Sequence, residues 1–282
     1  MDILLTGASG FVGRHLAAAL AKEHRVITLN RRPTGAPGEI IHDLAQTLPR
    51  ERLPHRIDAV IHTAGLVGQD ANSSVLCQRV NVDATMELAD YTVRAQAKRF
   101  VFFSTGGVYQ PTEERLTEQS VVAPPDVYTQ SKLAGEMAAQ SFEGDLVVQI
   151  LRLFFPFGPT QRGRLIPNLI EHVAQDEPIS LANAFGQPLV TPLYIDDLVE
   201  YMRRVLFVSD SFVANLAGDD VVSIRTLAEM IAKILSRRAL FKVREGTPTC
   251  NWWGDNKLIS GLTEYAPRVS LELGLERTIA AM

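Results

Sequence analysis

The chain has 282 residues, of which 46% are hydrophobic and 21% charged, and its formal net charge is −4. This balance excludes a disordered chain and predicts one large domain or two unequal ones. Because basic residues are not in excess, we expect no nucleic-acid partner. The two cysteines are too few for a disulfide framework and lack metal-site spacing, so we expect no metal and a reducing, cytoplasmic setting.

Hydropathy excludes a membrane partner as well. No apolar run approaches the roughly 18 residues of a membrane-spanning helix. The N-terminus begins with Met1-Asp2 and soon reaches a glycine-rich turn, which is unlike a signal peptide.

Strand-like and helix-like segments alternate through the first half of the chain. Short apolar runs predict strands at 3–6, 25–29, 57–63, 100–104 and 146–153, and helical spacing predicts helices at 12–23, 74–98 with a break near Asn81, and 126–142. This alternation implies right-handed βαβ crossovers. We therefore predict an α/β fold with a Rossmann-type, doubly wound parallel sheet covered by helices on both faces.

The composition changes after Pro156, where proline, glycine and arginine become frequent. Two further helices are predicted at 196–207 and 223–236, with a strand at 212–216 between them and a loop-rich last part. We expect a sheet domain over 1–155 that also receives about 189–215. A smaller C-terminal region, 156–188 and 216–282, would bind substrate.

A glycine-rich turn joins the first strand to the first helix. Gly7, Gly10 and Gly13 permit a tight turn, a close approach of the backbone to a pyrophosphate, and close packing of helix on strand. The N-terminus of the helix, at Phe11 and Val12, would present N–H groups and a partial positive charge to the phosphates. The strand–turn–helix context predicts a dinucleotide-binding site.

Tyr128 and Lys132 lie four positions apart, on one face of a predicted helix. A tyrosine with an ordinary pKa of about 10 is a poor base at neutral pH. A nearby ammonium group favours the phenolate and lowers that pKa. The pair therefore predicts proton transfer by Tyr128 with help from Lys132, whose ammonium would also hold ribose hydroxyls.

The preceding strand ends in FFSTGGVY, residues 102–109. Together with the Gly-x-x-Gly-x-x-Gly turn and Tyr-x-x-x-Lys, this segment resembles the extended short-chain dehydrogenase/reductase family, which includes NAD-dependent epimerases, dehydratases and reductases of nucleotide sugars. The resemblance implies that Thr105, rather than its neighbour Ser104, hydrogen-bonds the reacting oxygen. Tyr128 would then exchange a proton with the substrate while a nicotinamide cofactor transfers hydride.

The same resemblance implies further cofactor contacts. One set lies near the adenine, a second forms the turn that lines the cofactor after the fourth strand, and the rest lie near the nicotinamide. These residues are Asp43, Leu44, Thr63, Ala64, Gly65, Asn81 and Phe154. It also implies a homodimer built on a four-helix interface from the helices at 74–98 and 126–142.

The end of the second strand bears on the choice between NAD and NADP. An acidic residue there normally holds the ribose hydroxyls of NAD. This chain has Asn30 instead, followed by Arg31 and Arg32, whose guanidinium groups can pair with a 2′-phosphate. These residues favour NADP, with NAD as the alternative.

The substrate side departs from the family pattern. Arg162 and Arg164 would hold a diphosphate or else form a solvated basic loop. Val190 and Thr191 stand where many epimerases have Arg and Asp, which weakens a nucleotide-sugar assignment. Phe155 replaces a frequent Asn and indicates a more apolar subsite.

Taken together, the residues predict an NAD(P)-dependent enzyme of the epimerase/reductase type, acting on a hydroxyl or carbonyl of a sugar-like or nucleotide-sugar-like small molecule. Gly106 and Gly107 follow Thr105 where dehydratases usually carry Asp-Glu, so dehydration is disfavoured. Two alternatives stay open: a reductase of a non-sugar carbonyl compound, and a non-catalytic dinucleotide sensor, since a fold does not fix a function.

Overall fold

A computed structural model describes residues 1–67, 73–244 and 250–282. The chain divides into two compact units. The first unit consists of Met1–Gln110, Val122–Arg152 and Tyr201–Ala214. The second unit consists of Pro111–Val121, Leu153–Glu200 and Asn215–Met282.

A seven-stranded sheet dominates the fold. Its strands are β1 (Asp2–Thr6), β2 (Arg25–Asn30), β3 (Ile40–Ile41), β4 (Ala59–His62), β5 (Arg99–Thr105), β6 (Val147–Leu153) and β7 (Phe212–Leu216). Their order across the sheet is β7-β6-β5-β4-β1-β2-β3. The predicted α/β class with a Rossmann-type, doubly wound sheet is confirmed.

The strand order places a switch point between β1 and β4. Both β2 and β4 pair with β1 in parallel, with Leu4 opposite Ile27 on one side and opposite Val60 on the other. The chain runs outward from β1 through β2 to β3 and then crosses to β4 on the other side. Ligands of open α/β sheets bind in the crevice at the carboxyl ends of the strands at such a point.

The central strands are buried along their length, as expected for parallel strands with both faces covered. Leu4, Val60 and Phe100 are completely buried, and β4 is buried at every position. The helices are α1 (Phe11–Leu20), α2 (Ser74–Cys77), α3 (Ala84–Arg94), α4 (Val127–Gln140), α5 (Leu165–Ala174), α6 (Ile195–Val205), α7 (Ile224–Ile234), α8 (Lys257–Thr263) and α9 (Leu271–Ala280).

Two of the predicted helices have informative details. The expected break near Asn81 is a π-helical segment, Gln78–Asp83, between α2 and α3. Such wide turns interrupt α-helices frequently at functional sites. α4 begins with a capping box: the Asp126 side chain accepts from the Thr129 N–H, and the Thr129 hydroxyl accepts from the Asp126 N–H.

The second unit contains short strand pairs and several helices. Pro156–Phe157 pairs with Leu193–Tyr194, Leu189–Val190 with Val222–Ser223, and Ile179–Leu181 with Phe241–Val243. The expectation of a loop-rich last part was wrong for α8 and α9. In α9 the Ser270 side chain caps the first turn by accepting from the Leu273 N–H. Among the described residues, no helix has the length and apolar character needed to cross a bilayer.

Candidate active site

The glycine turn leaves no room for side chains. Gly7 has a φ of +79°, and a Cβ atom there would lie 2.7 Å from the Ala64 nitrogen. A Cβ atom on Gly13 would lie 2.2 Å from the Gly7 carbonyl oxygen. Only glycine fits both positions, so the turn packs tightly on the end of β4 and lets a ligand approach the backbone.

The N-terminus of α1 is suited to an anion. In the described part of the chain, no side chain caps Gly10 and no acidic residue occupies the first turn, which contains Phe11 and Val12. First-turn N–H groups have no partner inside a helix, and they carry a partial positive charge. The Arg14 guanidinium donates to the carbonyls of Ser9 and Gly10 at 3.1 and 3.3 Å and adds positive charge beside the turn. No sequence pattern indicates this role for Arg14.

The adenosine side of the expected site lies at the ends of β2 and β3. Asn30 is buried; its amide donates to the Thr28 hydroxyl at 3.2 Å, and its carbonyl oxygen has no partner among the described residues. The Asp43 carboxylate accepts from the Ala45 N–H at 2.9 Å, and Leu44 is buried. An unpartnered buried acceptor fits a ligand hydroxyl, which would supply the missing hydrogen bond.

The Glu39 carboxylate, which the sequence analysis did not assign to the site, lies beside Asn30. Glu39 accepts hydrogen bonds from the N–H and hydroxyl of Thr34, both at 2.8 Å, and from the Gly35 N–H at 3.0 Å. The Thr34 backbone, with help from Asn30, lowers the pKa of Glu39. Arg31 and Arg32 are exposed. The end of β2 therefore carries both signs of charge, whereas the sequence indicated only positive charge.

The turn after β4 is held on β1 by hydroxyl contacts. The Thr63 hydroxyl donates to the Thr6 carbonyl at 2.7 Å, and the Ala64 N–H donates to the Thr6 hydroxyl at 3.3 Å. Gly65 follows and is exposed. Thr63, Ala64 and Gly65 thus lie beside Gly7, where the sequence predicted the cofactor to pass.

His62 is fully buried beneath this turn. Its Nδ1 lies 2.6 Å from the Thr6 hydroxyl and its Nε2 lies 3.2 Å from the Thr85 hydroxyl. Because Thr85 donates its proton to the Asn81 carbonyl at 2.8 Å, the histidine carries its proton on Nε2. Burial, with a contribution from Lys132, lowers the pKa of His62 to about 3. His62 is therefore a neutral structural link.

The Asn81 side chain ties this region to α4. Its carbonyl accepts from the Leu66 N–H at 2.8 Å, and its amide donates to the Ser131 hydroxyl at 2.8 Å. The sequence placed Asn81 near the cofactor. The structure shows that its buried side chain braces the segment after Gly65 against the helix of Tyr128 and Lys132.

Lys132 is buried on α4, and Tyr128 lies half-buried in the first turn of the same helix. The Lys132 Nζ lies 3.9 Å from the centre of the Phe102 ring. A Cβ atom on Gly65 would lie 3.8 Å from this Nζ, so the amine faces the turn after β4. Burial lowers the pKa of Lys132 to about 7, although Glu136 opposes this effect.

Thr105 ends β5 and begins a short 3₁₀ turn, Gly106–Val108, where its hydroxyl accepts from the Gly107 N–H at 3.1 Å. A Cβ atom on Gly107 would lie 2.8 Å from the Thr129 methyl group, so this turn packs against the start of α4. The neighbouring Ser104 is buried and donates to Glu136. Its hydroxyl is engaged away from a substrate, which favours Thr105 as the orienting hydroxyl.

The remaining predicted site residues belong to the second unit. Phe154 is buried, and its N–H donates to the Leu216 carbonyl at 3.0 Å. Arg162 and Arg164 are exposed in the loop before α5. Phe155 has a φ of +37°, a left-handed conformation that asparagine adopts more readily.

The two residues that stand where many epimerases have Arg and Asp have structural roles in this chain. Val190 is completely buried, and the Thr191 hydroxyl accepts from the Gly254 N–H at 3.0 Å. Within the described ranges, no cluster of His, Cys, Asp and Glu could hold a metal ion.

Comparison with known proteins identifies the family. Residues 3–217 match the model of the NAD dependent epimerase/dehydratase family. The chain belongs to this family. It is 27% identical to an uncharacterised UDP-glucose epimerase of Bacillus subtilis, with 99% of this chain and 97% of the relative covered.

Two solved structures resemble this family member over its whole length. MoeE5, in complex with UDP-glucuronic acid and NAD, is 28% identical with a TM-score of 0.89, and the match covers 100% of this chain and 98% of that one. UDP-glucuronic acid 4-epimerase from Bacillus cereus, in complex with UDP-glucuronic acid and NAD, is 26% identical with a TM-score of 0.86 at the same coverage.

The protein is thus an enzyme of the epimerase/dehydratase family, as predicted. The glycine turn, the uncapped N-terminus of α1 and the unpartnered Asn30 side-chain carbonyl fit a dinucleotide. These structural neighbours hold NAD. The predicted preference for NADP finds no support in them.

Proposed function

We propose that the protein is an NAD-dependent epimerase of a nucleotide sugar. The observation that carries this proposal is the arrangement in the first unit: Tyr128 and Lys132 share α4, and the turn after Thr105 packs against the start of that helix. The likeness to two structures that contain NAD and UDP-glucuronic acid supports the substrate class.

The roles of the side chains follow from their chemistry. When bound, NAD supplies the hydride acceptor and donor. The Tyr128 phenolate removes the proton of a sugar hydroxyl, and the phenol formed in this way later returns it. The Lys132 ammonium stabilises the phenolate and binds ribose hydroxyls, while the Thr105 hydroxyl orients the reacting oxygen. Arg162 and Arg164, exposed in the loop before α5, would bind the diphosphate.

A substrate screen tests the proposal. Purified protein is incubated with UDP-glucose, UDP-glucuronic acid and other nucleotide sugars, with and without added NAD, and the products are separated by chromatography. We expect a sugar to convert to its epimer without net reduction of the coenzyme. Failure of every nucleotide sugar, under conditions where the protein is folded, would reject the proposed substrate class.

A second candidate function is the reduction of a non-sugar carbonyl compound. Val190 is buried where many epimerases have an arginine, and Phe155 replaces a polar residue, so the second unit offers less polar recognition than expected for a diphosphate sugar. Stoichiometric oxidation of NADPH or NADH by carbonyl compounds in the same screen would favour this function.

The charges at the end of β2 predict the choice of cofactor. We expect NAD to bind more tightly than NADP, because the Glu39 carboxylate next to Asn30 would accept from the ribose hydroxyls and repel a 2′-phosphate. Glu39→Gln should then shift the ratio of the two dissociation constants towards NADP by about tenfold. Isothermal titration calorimetry measures both constants.

Glu51→Gln is the matched control, because it removes the same charge from a 3₁₀ turn outside this loop. It should leave the ratio unchanged. Tighter binding of NADP to the unmodified protein, with a loss of this preference in Arg31→Ala, would instead support the earlier expectation from the arginine pair.

We also propose a homodimer through helices of the first unit. Five large apolar side chains on α2, α3 and α4 are exposed: Val75, Leu76, Met86, Val127 and Met137, with 76%, 42%, 49%, 38% and 65% of their surface accessible. Such residues at one interface would be buried by a second copy of the chain.

The double variant Met86→Lys/Met137→Lys should therefore be monomeric in analytical ultracentrifugation, whereas the unmodified protein sediments as a dimer. Phe207→Lys is the control, because Phe207 is equally apolar and exposed but lies outside these helices. A monomeric unmodified protein would contradict the dimer.

A further inference from the structure

A buried ion pair lies beneath the candidate active site and has no role in the chemistry described above. Glu136 is 1% exposed and Arg152 is 6% exposed. We propose that Glu136 is a positioning residue, whose carboxylate fixes Thr105 relative to the helix of Tyr128 and Lys132. This inference rests on the proposed function, which assigns those three groups to proton transfer.

The carboxylate of Glu136 accepts hydrogen bonds from side chains on two neighbouring strands, β5 and β6. Arg152, near the end of β6, donates to it from Nη2 at 2.6 Å and from Nε at 3.1 Å. The hydroxyl of Ser104, near the end of β5, donates to Oε1 of the same group. A buried carboxylate destabilises a fold unless it is paired and hydrogen-bonded, so all three side chains must keep these positions together.

The partners of Glu136 hold both sides of the turn that contains Thr105. Ser104 precedes Thr105 and is bound by Glu136 directly. Tyr109 follows the turn and is fully buried, with the Arg152 guanidinium 4.8 Å from the centre of its ring. The carboxylate therefore restrains the chain immediately before the turn, and its ion-pair partner restrains the chain immediately after it.

The helix that carries Glu136 is itself closely docked. Gly135 precedes it, and a Cβ atom there would lie 2.5 Å from the Asn81 carbonyl oxygen and 2.8 Å from the Phe102 ring. This contact leaves α4 little freedom to shift. Because α4 is held in this way, the position of the Glu136 carboxylate is well defined relative to Lys132, one turn earlier on the same helix.

Glu136 also acts on Lys132 through its charge. Several groups surround the amine: Glu136 on α4, the neutral His62 on β4, and the uncharged Phe102 ring on β5. Tyr128 is on the same helix, four residues before Lys132. Arg152 on β6 is paired with Glu136. The carboxylate raises the pKa of Lys132 against the effect of burial. Loss of the carboxylate should therefore disfavour the ammonium form.

Two single variants separate the positioning of Thr105 from the effect of the Glu136 charge on Lys132. Ser104→Ala cuts the link to β5 but keeps the charge, so we expect kcat to fall by about tenfold with an unchanged pH–rate profile. Glu136→Gln removes the charge, so we expect a larger fall in kcat and a shift of the Lys132 titration to lower pH by about one unit. KM for the sugar nucleotide should change little in both variants, since neither residue is assigned to substrate binding.

Glu136→Gln leaves a buried guanidinium unpaired and risks a folding defect. The double variant Glu136→Gln/Arg152→Met removes both charges and is expected to fold. If Glu136 had a merely structural role, this double variant would recover full kcat and the normal titration, which would overturn the proposal. We expect it to recover thermal stability and to keep the reduced kcat and the shifted titration.

A direct readout distinguishes this inference from the proposed function. The titration of Lys132 is followed by NMR of protein with ¹³C-labelled lysine, assigned with a Lys132→Met variant, and needs no turnover. If the unmodified protein epimerises no sugar but the Lys132 signal shifts in Glu136→Gln, the proposed function fails and the electrostatic part of the inference holds. An unshifted signal, with unchanged kcat in Ser104→Ala, overturns the inference alone.

Discussion

Replacing Tyr128 by phenylalanine is expected to lower kcat by about 10²- to 10⁴-fold, the usual contribution of a positioned acid or base. The phenol oxygen is the proton acceptor and donor in the proposed reaction, and phenylalanine keeps the ring while removing that oxygen. NAD affinity should stay close to that of the unmodified protein, because the glycine turn and α1 are unaffected. Steady-state kinetics and calorimetric titration with NAD measure the two effects.

Tyr91→Phe is the matched control for this prediction. The Tyr91 hydroxyl is also hydrogen-bonded, donating to the Pro54 carbonyl at 2.8 Å, but the residue lies on α3 away from Thr105. We expect it to retain nearly full activity. Equal activity of Tyr128→Phe and the unmodified protein would show that another group transfers the proton.

Replacing Lys132 by methionine is expected to abolish activity and, at the same time, to stabilise the protein. The amine is buried, and burial lowers its pKa from 10.5 to about 7 in the folded state. Below pH 7 the ammonium is present in both states but is poorly solvated only in the folded one, so it destabilises the fold by a few kcal/mol. Methionine has a similar length and no charge to desolvate.

The sign of the pH dependence follows from proton binding. Between about pH 7 and 10.5 the unfolded chain binds a proton at Lys132 that the folded chain does not, so stability of the unmodified protein rises with pH over this range. The stabilisation by Lys132→Met should therefore be largest below pH 7 and shrink towards pH 10.5. Chemical denaturation at pH 6, 8 and 10 measures it.

Lys98→Met serves as the control, since Lys98 is exposed and should contribute almost nothing at any of these pH values. Arg152 keeps Glu136 paired in the Lys132→Met variant, so no buried charge is left alone. A loss of stability at pH 6 would mean that the Lys132 amine is better solvated than its burial indicates.

The parts of the fold predicted from sequence are those with strong local signals. The strands were visible because buried parallel strands are short apolar runs, and 212–216 was predicted with the bounds that β7 has. The helix α5 was not predicted, because proline, glycine and arginine are frequent in the segment before it and Pro167 is its third residue. Proline is tolerated in the first turn of a helix, where its missing N–H has no partner.

The site shows the same division between local and distant signals. Thr105, Tyr128 and Lys132 stand in recognisable spacings, so sequence alone singled them out. Glu39 and Glu136 stand in no such pattern, and their importance depends on partners brought together by folding: a reversing loop for Glu39, and two neighbouring strands for Glu136. Long-range contacts of this kind cannot be read from spacing.

The π-helical segment Gln78–Asp83 has a consequence for how the chain can change in length. A π-helical turn is closed by i→i+5 hydrogen bonds and holds one residue more than an α-helical turn, so deleting one residue here would let the segment rewind as α-helix with its flanks kept nearly in register. Asn81 lies within this segment and binds the Leu66 N–H and the Ser131 hydroxyl, and a deletion that moved Asn81 would break both hydrogen bonds. We therefore expect the fold to tolerate a one-residue deletion in this segment only where Asn81 keeps its place.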